Sequence, residues 1–168
     1  MGLSWRTIRE AFASRILNVA PTATVKDEWP YDFSQGDSLV GLNDLDNIDR
    51  VHAYLIGSMK AEADEDKIGG GPDHGSIRST LTLRFMGLLG LSQGTNTLSS
   101  ADEFEAELKA IRFDVLNKRR DLGIVDPDVS DIRRIYPISY DDIYTDDYNG
   151  SLIHIAEGSL VIELTERW

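Results

Sequence analysis

Apolar residues recur every three or four positions near the start of the chain. This stripe has helical spacing, stops before Pro21, and consists of Ile8, Phe12, Ile16 and Val19. Thr7 and Glu10 have the spacing of a capping box, in which a hydroxyl and a carboxylate satisfy two backbone donors at a helix start. The sequence therefore predicts an amphipathic helix that begins at Thr7 and lies on an apolar surface.

The same spacing predicts a second helix further along the chain. Its stripe ends at Gly123 and consists of Phe104, Leu108, Ile111, Val115 and Leu122. Ser100 and Glu103 form another capping box, and the basic run 118–120 suits the negative end of the helix dipole. We expect this helix to begin at Ser100 and to pack on a sheet face that carries Leu81, Leu83 and Phe85.

Alternating apolar and polar residues predict two long strands between these helices. One covers residues 50–60, with an apolar face made of Val51, Ala53, Leu55 and Met59. The other covers residues 77–89, with an apolar face made of Ile77, Leu81, Leu83, Phe85 and Leu89. Residues 62–75 are charged and then glycine-rich, which predicts a mobile loop that joins the strands as an antiparallel hairpin.

The remaining segments complete the order helix, strands, helix, strands. Residues 22–49 suggest a short strand and an irregular connection, while 132–144 and 152–166 predict strands around the turn-rich segment 146–150. Strands that pair with their neighbours in sequence favour an α+β fold over alternating βαβ units. We therefore expect one domain over residues 1–168, with a mostly antiparallel sheet of long hairpins flanked by two amphipathic helices.

Composition narrows the classes of function. The chain has 168 residues, of which 41% are hydrophobic and 27% are charged, as in ordinary globular domains. Its net charge of -12 repels phosphate backbones and argues against sequence-specific nucleic-acid binding. The absence of cysteine excludes disulfides, thiolate zinc sites and thiol nucleophiles. No apolar run has the length of a signal peptide or a membrane span, so we expect a soluble protein.

Motifs for catalysis or cofactor binding are incomplete. The histidines at 52, 74 and 154 have neither the spacing of a helical metal pair nor the context of a nucleophile elbow. The glycine-rich segment 69–75 lacks the Lys-Ser/Thr ending of a phosphate loop, and the segment around Gly150 lacks the terminal carboxylates of a calcium loop. The sequence predicts neither an enzyme nor a metal or organic cofactor.

The predicted elements follow one another in a characteristic order. After the capped N-terminal helix come the strand of residues 53–57, the strand of residues 79–85, the helix from Ser100 and the final strand of residues 160–166. This order resembles the tail terminator proteins of long-tailed bacteriophages and covers most of the chain, although the connection over residues 29–49 is longer than in compact members of that family. The resemblance implies a homohexameric ring that caps the tail tube and joins the tail to the neck of the head.

The same resemblance implies the partners and the location of the protein. Its partners would be further copies of itself, the tail tube protein and the stopper or connector protein of the neck, with the tail sheath as a further candidate. DNA would pass through the ring lumen, whose acidity would repel phosphates. The location would be the virion, and the host cytoplasm during assembly. The alternatives are another neck component and a small-molecule-binding or hydrolytic α+β domain.

The candidate site for ring formation is the charged segment between the two long strands. Its residues are Glu62, Asp64, Glu65, Asp66, Lys67 and Ile68. Mutual repulsion of the acids and the lack of apolar anchors predict disorder in an isolated subunit. In a ring, Lys67 and Ile68 could contact a neighbour, so we expect this segment to form the ring interface or to face the lumen. A solvated hairpin tip is the alternative.

Overall fold

The computed structural model describes residues 2–31, 51–70, 75–90, 97–148 and 151–167. In these ranges it contains two α-helices and a short 3-10 helix, which are α1 (Trp5–Val19), α2 (Thr97–Asn117) and Pro127–Asp131. The strands are β1 (Thr24–Tyr31), β2 (His52–Gly70), β3 (Gly75–Gly90), β4 (Ile132–Ile135), β5 (Ser139–Tyr140), β6 (Tyr144–Tyr148) and β7 (Ser151–Arg167). All of these strands belong to one sheet, and only the pair of β1 with β2 is parallel. The predicted α+β class, with a mostly antiparallel sheet of long strands, is confirmed.

The sheet has two unlike edges. Its strand order is β1-β2-β3-β7-β4, and β5 and β6 also pair with β7. β4, β5 and β6 therefore follow one another along the same side of β7 as one interrupted edge. At the other edge, β1 pairs with β2 only as far as Gly57, so in the described part of the chain the outer side of β2 beyond Gly57 has no partner strand.

Both helices cover the same face of the sheet, and the main hydrophobic core lies between the helices and that face. The helices contribute Ile8, Phe12, Ile16, Phe104, Leu108, Ile111 and Val115, all of which are fully buried. The strands contribute Leu81, Leu83, Phe85, Leu160, Ile162 and Leu164 to the same cluster. The rings of Phe12 and Phe85 meet edge-on at 5.4 Å. The predicted apolar stripes, and the packing of the second helix on Leu81, Leu83 and Phe85, are confirmed.

The predicted start of the first helix was wrong. α1 begins at Trp5, and the hydroxyl of Ser4 accepts a hydrogen bond from the backbone N–H of Thr7 at 3.1 Å. Glu10 does not reach back to the helix start, because its carboxylate pairs with Arg6 at 2.6 Å. Ser4 therefore performs the capping function that the sequence had suggested for Thr7.

The predicted bounds of the second helix were also wrong. α2 begins at Thr97, so Ser100 lies inside the helix, and it ends at Asn117 instead of continuing to Gly123. The chain then turns through Leu122, with φ 54°, and Gly123, with φ 77°. Leu122 is nevertheless buried in the main core, which explains why it extended the apolar pattern beyond the helix.

The segment predicted to be a mobile loop is a continuation of the hairpin. Glu62 lies opposite Thr80, and Asp64 lies opposite Arg78. Pairing resumes at Ile68 after a bulge of three residues and continues to Gly70. Backbone pairing with β3 does not require apolar side chains, so the charged composition did not prevent strand formation. Residues 71–74, at the tip, lie outside the described ranges.

The predicted apolar face of β2 was only partly right. Ile56 lies opposite Phe85 and Met59 opposite Leu83, so β2 carries one extra residue between them, at Gly57 and Ser58. Such a bulge exchanges the faces to which the following side chains point. Met59 thus packs against the main core, while a second buried cluster on the opposite face consists of Ala53, Leu55, Met86, Leu88, Ile153 and Ile155.

Of the two strands predicted in the C-terminal part of the chain, the one over residues 152–166 is confirmed and the one over residues 132–144 is corrected. β7 runs from Ser151 to Arg167, but the predicted strand over residues 132–144 is interrupted as β4, β5 and the start of β6. Pro137, which has no backbone N–H, lies in the first interruption. The first strand is β1, as predicted, but it includes residues 29–31, which the sequence had assigned to the connection over residues 29–49. Residues 32–49 of that connection lie outside the described ranges. No helix in the described part of the chain has the length and apolarity required to cross a bilayer.

Candidate functional site

A polar cluster lies beneath α2 at one end of the main core. His52, His154 and Thr145 occupy one row across β2, β7 and β6, with Leu89 of β3 between the two histidines. Residues in one row of a sheet point to the same face, and here that face is covered by α2. Glu107 and Ser100 of α2 reach this row from above.

Glu107 joins α2 to two residues of β2. Its carboxylate accepts a hydrogen bond from the hydroxyl of Tyr54 and lies 2.8 Å from Nε2 of His52. Burial raises the pKa of the Tyr54 hydroxyl well above its ordinary value, and the charge and hydrogen bond of Glu107 raise it further. A Cβ atom at Gly87 would lie 2.8 Å from Cε1 of Tyr54 and 3.0 Å from Cζ of Phe104, so glycine leaves room for both rings.

His154 is held by hydroxyls on both sides of its ring. Its Nε2 lies 2.7 Å from Oγ of Ser100, and its Nδ1 lies 2.9 Å from Oγ1 of Thr145. A serine beside a histidine is the arrangement of an activated nucleophile. Here Ser100 and His154 are both buried, and the hydroxyl of Thr145 lies on the other side of the imidazole ring. These hydrogen bonds connect α2 to β7 and β6 beneath the helix.

This polar cluster was missed from the sequence. His52 and Tyr54 were assigned to a polar face, and Ser100 was assigned to a helix cap. One available signal was the position of Glu107, which lies between Phe104 and Ile111 at helical spacing and therefore borders the apolar stripe. A carboxylate at the border of an apolar stripe is partly buried and therefore needs a hydrogen-bonding partner. That partner could not be identified from the sequence, because it depends on which residues of the strands lie beneath the helix.

The raised pKa of Tyr54 predicts a stability change in alkaline solution. Above its ordinary pKa of about 10, the unfolded chain releases the Tyr54 proton while the folded chain keeps it. The contribution of the Tyr54 hydroxyl to the free energy of unfolding is therefore complete below pH 10. It is lost as the pH rises above 10, and the free energy of unfolding then falls by up to about 1.4 kcal/mol per pH unit. Tyr54→Phe should lessen the fall in free energy of unfolding between about pH 9 and 11, as measured by urea titration.

Tyr136→Phe is the matched control for this measurement. Tyr136 also donates to a carboxylate, that of Glu163 at 2.5 Å, but it is only partly buried, whereas Tyr54 is fully buried. Tyr136→Phe should therefore change the fall in free energy of unfolding between about pH 9 and 11 less than Tyr54→Phe does. Equal slopes for the wild type and Tyr54→Phe would contradict a buried, protonated Tyr54.

The predicted ring-forming residues lie along the unpaired side of β2. We call residues 62–68 the acidic edge. The carboxylate of Glu62 is exposed and lies 2.5 Å from the ammonium of Lys60, whose hydrogen bond and charge lower the pKa of Glu62. Ile68 is 56% exposed. Residues 65–67 form the bulge, and their side chains lie outside the described part of the structure. The structure places the backbone of these residues along one edge of the sheet.

An open groove of about 600 Å³ lies between the end of α2 and β4. We call it the arginine groove, because it is lined by Arg119, Arg120, Arg133 and Arg134 together with apolar residues that include Leu116 and Ile135. All four arginines are exposed. Within the described residues, none of their guanidinium groups forms an ion pair with a carboxylate.

Two of these arginines are oriented by neighbours in the sheet. Nε of Arg133 donates to Oγ1 of Thr165 at 3.0 Å, and the guanidinium of Arg134 lies 4.4 Å from the ring centre of Tyr136. Glu163 of β7 lies opposite Arg134 in the sheet but forms no ion pair with it, and neither contact made by these arginines is with a carboxylate. The sequence prediction had treated the run 118–120 only as a complement to the helix dipole, because the proximity of β4 could not be read from the chain.

The residues described by the structure contain no group of three histidine, aspartate or glutamate side chains placed to hold a metal ion. The sequence matches no known family model and none of the curated proteins with which it was compared. The properties that bear on function are therefore the two edges of the sheet, with acidic residues on one and the arginine groove beside the other.

Proposed function

We propose that this chain is a structural protein of a bacteriophage virion, which forms a homohexameric ring, caps the tail tube and joins the tail to the neck. The observation that supports this proposal best is the pair of unlike, exposed edges on one sheet. Identical subunits that meet through two different surfaces make head-to-tail contacts, and such contacts generate closed rings when the rotation between subunits closes.

The edges have the properties required for such contacts. Beyond Gly57 the outer side of β2 offers backbone N–H and C=O groups without a partner strand among the described residues. β4 borders the opposite edge, and among the described residues it pairs only through the side that faces β7. Unpaired strand edges associate with other chains unless they are blocked, so both edges are suitable material for assembly.

The charge of the chain supports a role around DNA. With 29 acidic and 17 basic residues, its summed field repels phosphates and would let a genome slide through a lumen without binding. The proposed partners outside the ring are the tail tube protein and the stopper or connector of the neck, with the tail sheath as a further candidate. The proposed location is the virion, after assembly in the host cytoplasm. Element order supports this assignment, and another neck component is the alternative.

A hydrolytic domain is the other alternative, and the pair of Ser100 and His154 is the observation in its favour. Both side chains are buried beneath α2, which argues against turnover of a substrate at this site. Ser100→Ala should lower the free energy of unfolding by about 1–3 kcal/mol, because it leaves the buried ring of His154 without one hydrogen bond. An esterase activity that Ser100→Ala abolishes would favour the hydrolytic alternative.

Tail tubes provide the direct test of the proposed function. Tube protein of the same virus is polymerised with and without the purified chain, and tube ends and lengths are measured by negative-stain electron microscopy. The expected result is that tubes stop growing and carry a ring at one end. Tubes that grow to unchanged lengths with bare ends, although rings of the chain are present in the same sample, would contradict the capping function.

Deleting residues 65–67 tests the role of the bulge in the acidic edge. The deletion joins Asp64 to Ile68, which already pair with the consecutive residues Arg78 and Ile77, so the hairpin ladder becomes regular. The thermal unfolding midpoint should therefore change little, while ring formation is lost because the edge has changed shape and lacks two of its acids. Normal rings from the shortened chain would show that the bulge is not part of the interface.

A further inference from the structure

The arginine groove is unusual in a chain with a net charge of -12. Four of its 17 basic residues line one open groove and form no ion pair with a described carboxylate. Four like charges on adjacent segments repel one another, and that repulsion is relieved when an anionic partner binds. The groove is therefore suited to an acidic occupant.

The acidic edge lies at the same level of the sheet as this groove. Glu62 of β2, Thr80 of β3, Glu163 of β7 and Arg134 of β4 are consecutive partners in one row across the four strands. Glu62 is therefore at one end of the row, and Arg134 is at the other end, next to Glu163. A copy of the sheet placed beside the first would bring its β2 next to β4 with opposite charges in contact.

We propose that the arginine groove of each subunit receives the acidic edge of a neighbouring copy of this chain. This inference rests on the proposed function and names the contact that builds the ring. Each subunit gives its β2 edge on one side and receives another on the opposite side, so every subunit makes the same two contacts. Arginine is suited to this contact, because its planar guanidinium can donate two parallel hydrogen bonds to one carboxylate.

The lining of the groove favours a protein strand over a nucleic acid. Leu116, Ile132 and Ile135 contribute apolar surface between the arginines, which suits a side chain such as the exposed Ile68 of the acidic edge. The outer side of β4, which has no partner strand in the described ranges, can also bind the backbone of an added strand. A phosphate backbone would be repelled by the remaining field of the chain.

A charge-swap experiment tests this contact. The groove variant carries Arg119→Glu, Arg120→Glu and Arg134→Glu, so the charges of its four groove positions sum to -2. The edge variant carries Glu62→Lys and Glu65→Lys, so the charges of residues 62–68 sum to +1. Each variant alone places like charges together, so the concentration required for ring formation should rise at least about a hundredfold. Mixed in equal amounts, the two variants should form alternating rings, since every contact then joins a positive surface to a negative one. Ring formation is followed by native mass spectrometry, and folding by circular dichroism.

Matched controls use charges that lie elsewhere on the exposed side of α2. Arg112→Glu reverses an exposed arginine outside the groove, and Glu105→Lys reverses an exposed acid outside the acidic edge. Both controls should form rings at the wild-type concentration. Raising the salt to about 1 M should weaken the wild-type ring, because screening at this concentration shortens the range of the charge interaction to about 3 Å.

The possible outcomes separate this inference from the proposed function. Rings formed by either variant alone at wild-type concentration, or folded variants that fail to restore rings when mixed, would overturn the contact and leave ring formation in place. Binding of single-stranded DNA that the groove variant loses, with rings unaffected, would show that the groove binds phosphates instead. A wild-type chain that remains a monomer throughout would overturn both proposals.

Discussion

Replacing Leu108 by alanine is expected to lower the free energy of unfolding by about 2–5 kcal/mol. Leu108 is fully buried in the core between α2 and the sheet, in the cluster that contains Leu83 and Phe85. The shorter side chain removes apolar contacts and leaves a cavity that the closely packed neighbours in the core fill only in part. Urea unfolding followed by far-ultraviolet circular dichroism measures the change.

Phe113→Ala is the matched control on the same helix. Phe113 is 54% exposed, so its truncation should change the free energy of unfolding much less than Leu108→Ala does. Unchanged stability of Leu108→Ala would remove α2 from the core. That result would contradict the arrangement in which α2 holds the polar cluster and one wall of the arginine groove.

Gly158→Ala is expected to destabilise the protein by about 3 kcal/mol, the upper end of the usual range for overpacking. A Cβ atom at this position would lie 2.6 Å from Cζ of Phe85 and still closer to the carbonyl oxygen of Ser139. The Phe85 ring is fixed by its edge-on contact with Phe12, so it cannot move aside freely. The added methyl group must instead displace β5 from β7. This displacement should lower the thermal unfolding midpoint, which is the quantity to measure.

Gly69→Ala provides the control for Gly158→Ala. A Cβ atom at Gly69 would meet only the hydroxyl of Ser76, at 3.6 Å, which is an ordinary contact. We expect a change of at most about 0.5 kcal/mol at this exposed position. Equal effects of the two substitutions would mean that the contact of Phe85 with β7 is not as close as the structure indicates.

The sequence predicted those parts of the fold in which buried residues recur at a regular spacing along the chain. The stripes from Ile8 to Val19 and from Phe104 to Val115 each bury one side, so spacing alone identifies the helices. Helix starts depend on which hydroxyl reaches a free N–H, and Ser4 competes with Thr7 for that role. The exchange of faces at Gly57 depends on a single extra residue, which alternation of residue types does not reveal.

Less of the candidate site was predictable. The acidic edge was identified from composition, but composition suggested a loop where β3 in fact provides a pairing partner. The arginine groove joins residues 119–120 to 133–134 around the 3-10 helix, and the polar cluster joins His52 to Glu107 and Ser100 to His154. Such contacts between distant segments are set by strand register and helix placement, which no local pattern of this sequence specifies.

The mass of the wild-type chain in solution tests the central claim most directly. Mass photometry over a range of concentrations, with negative-stain images of the same samples, gives both the number of subunits and their arrangement. The account predicts particles of six times the chain mass of 18.8 kDa, with a central opening and rotational symmetry. A monomer at every concentration, or a dimer that buries the same surface of both subunits, would contradict it.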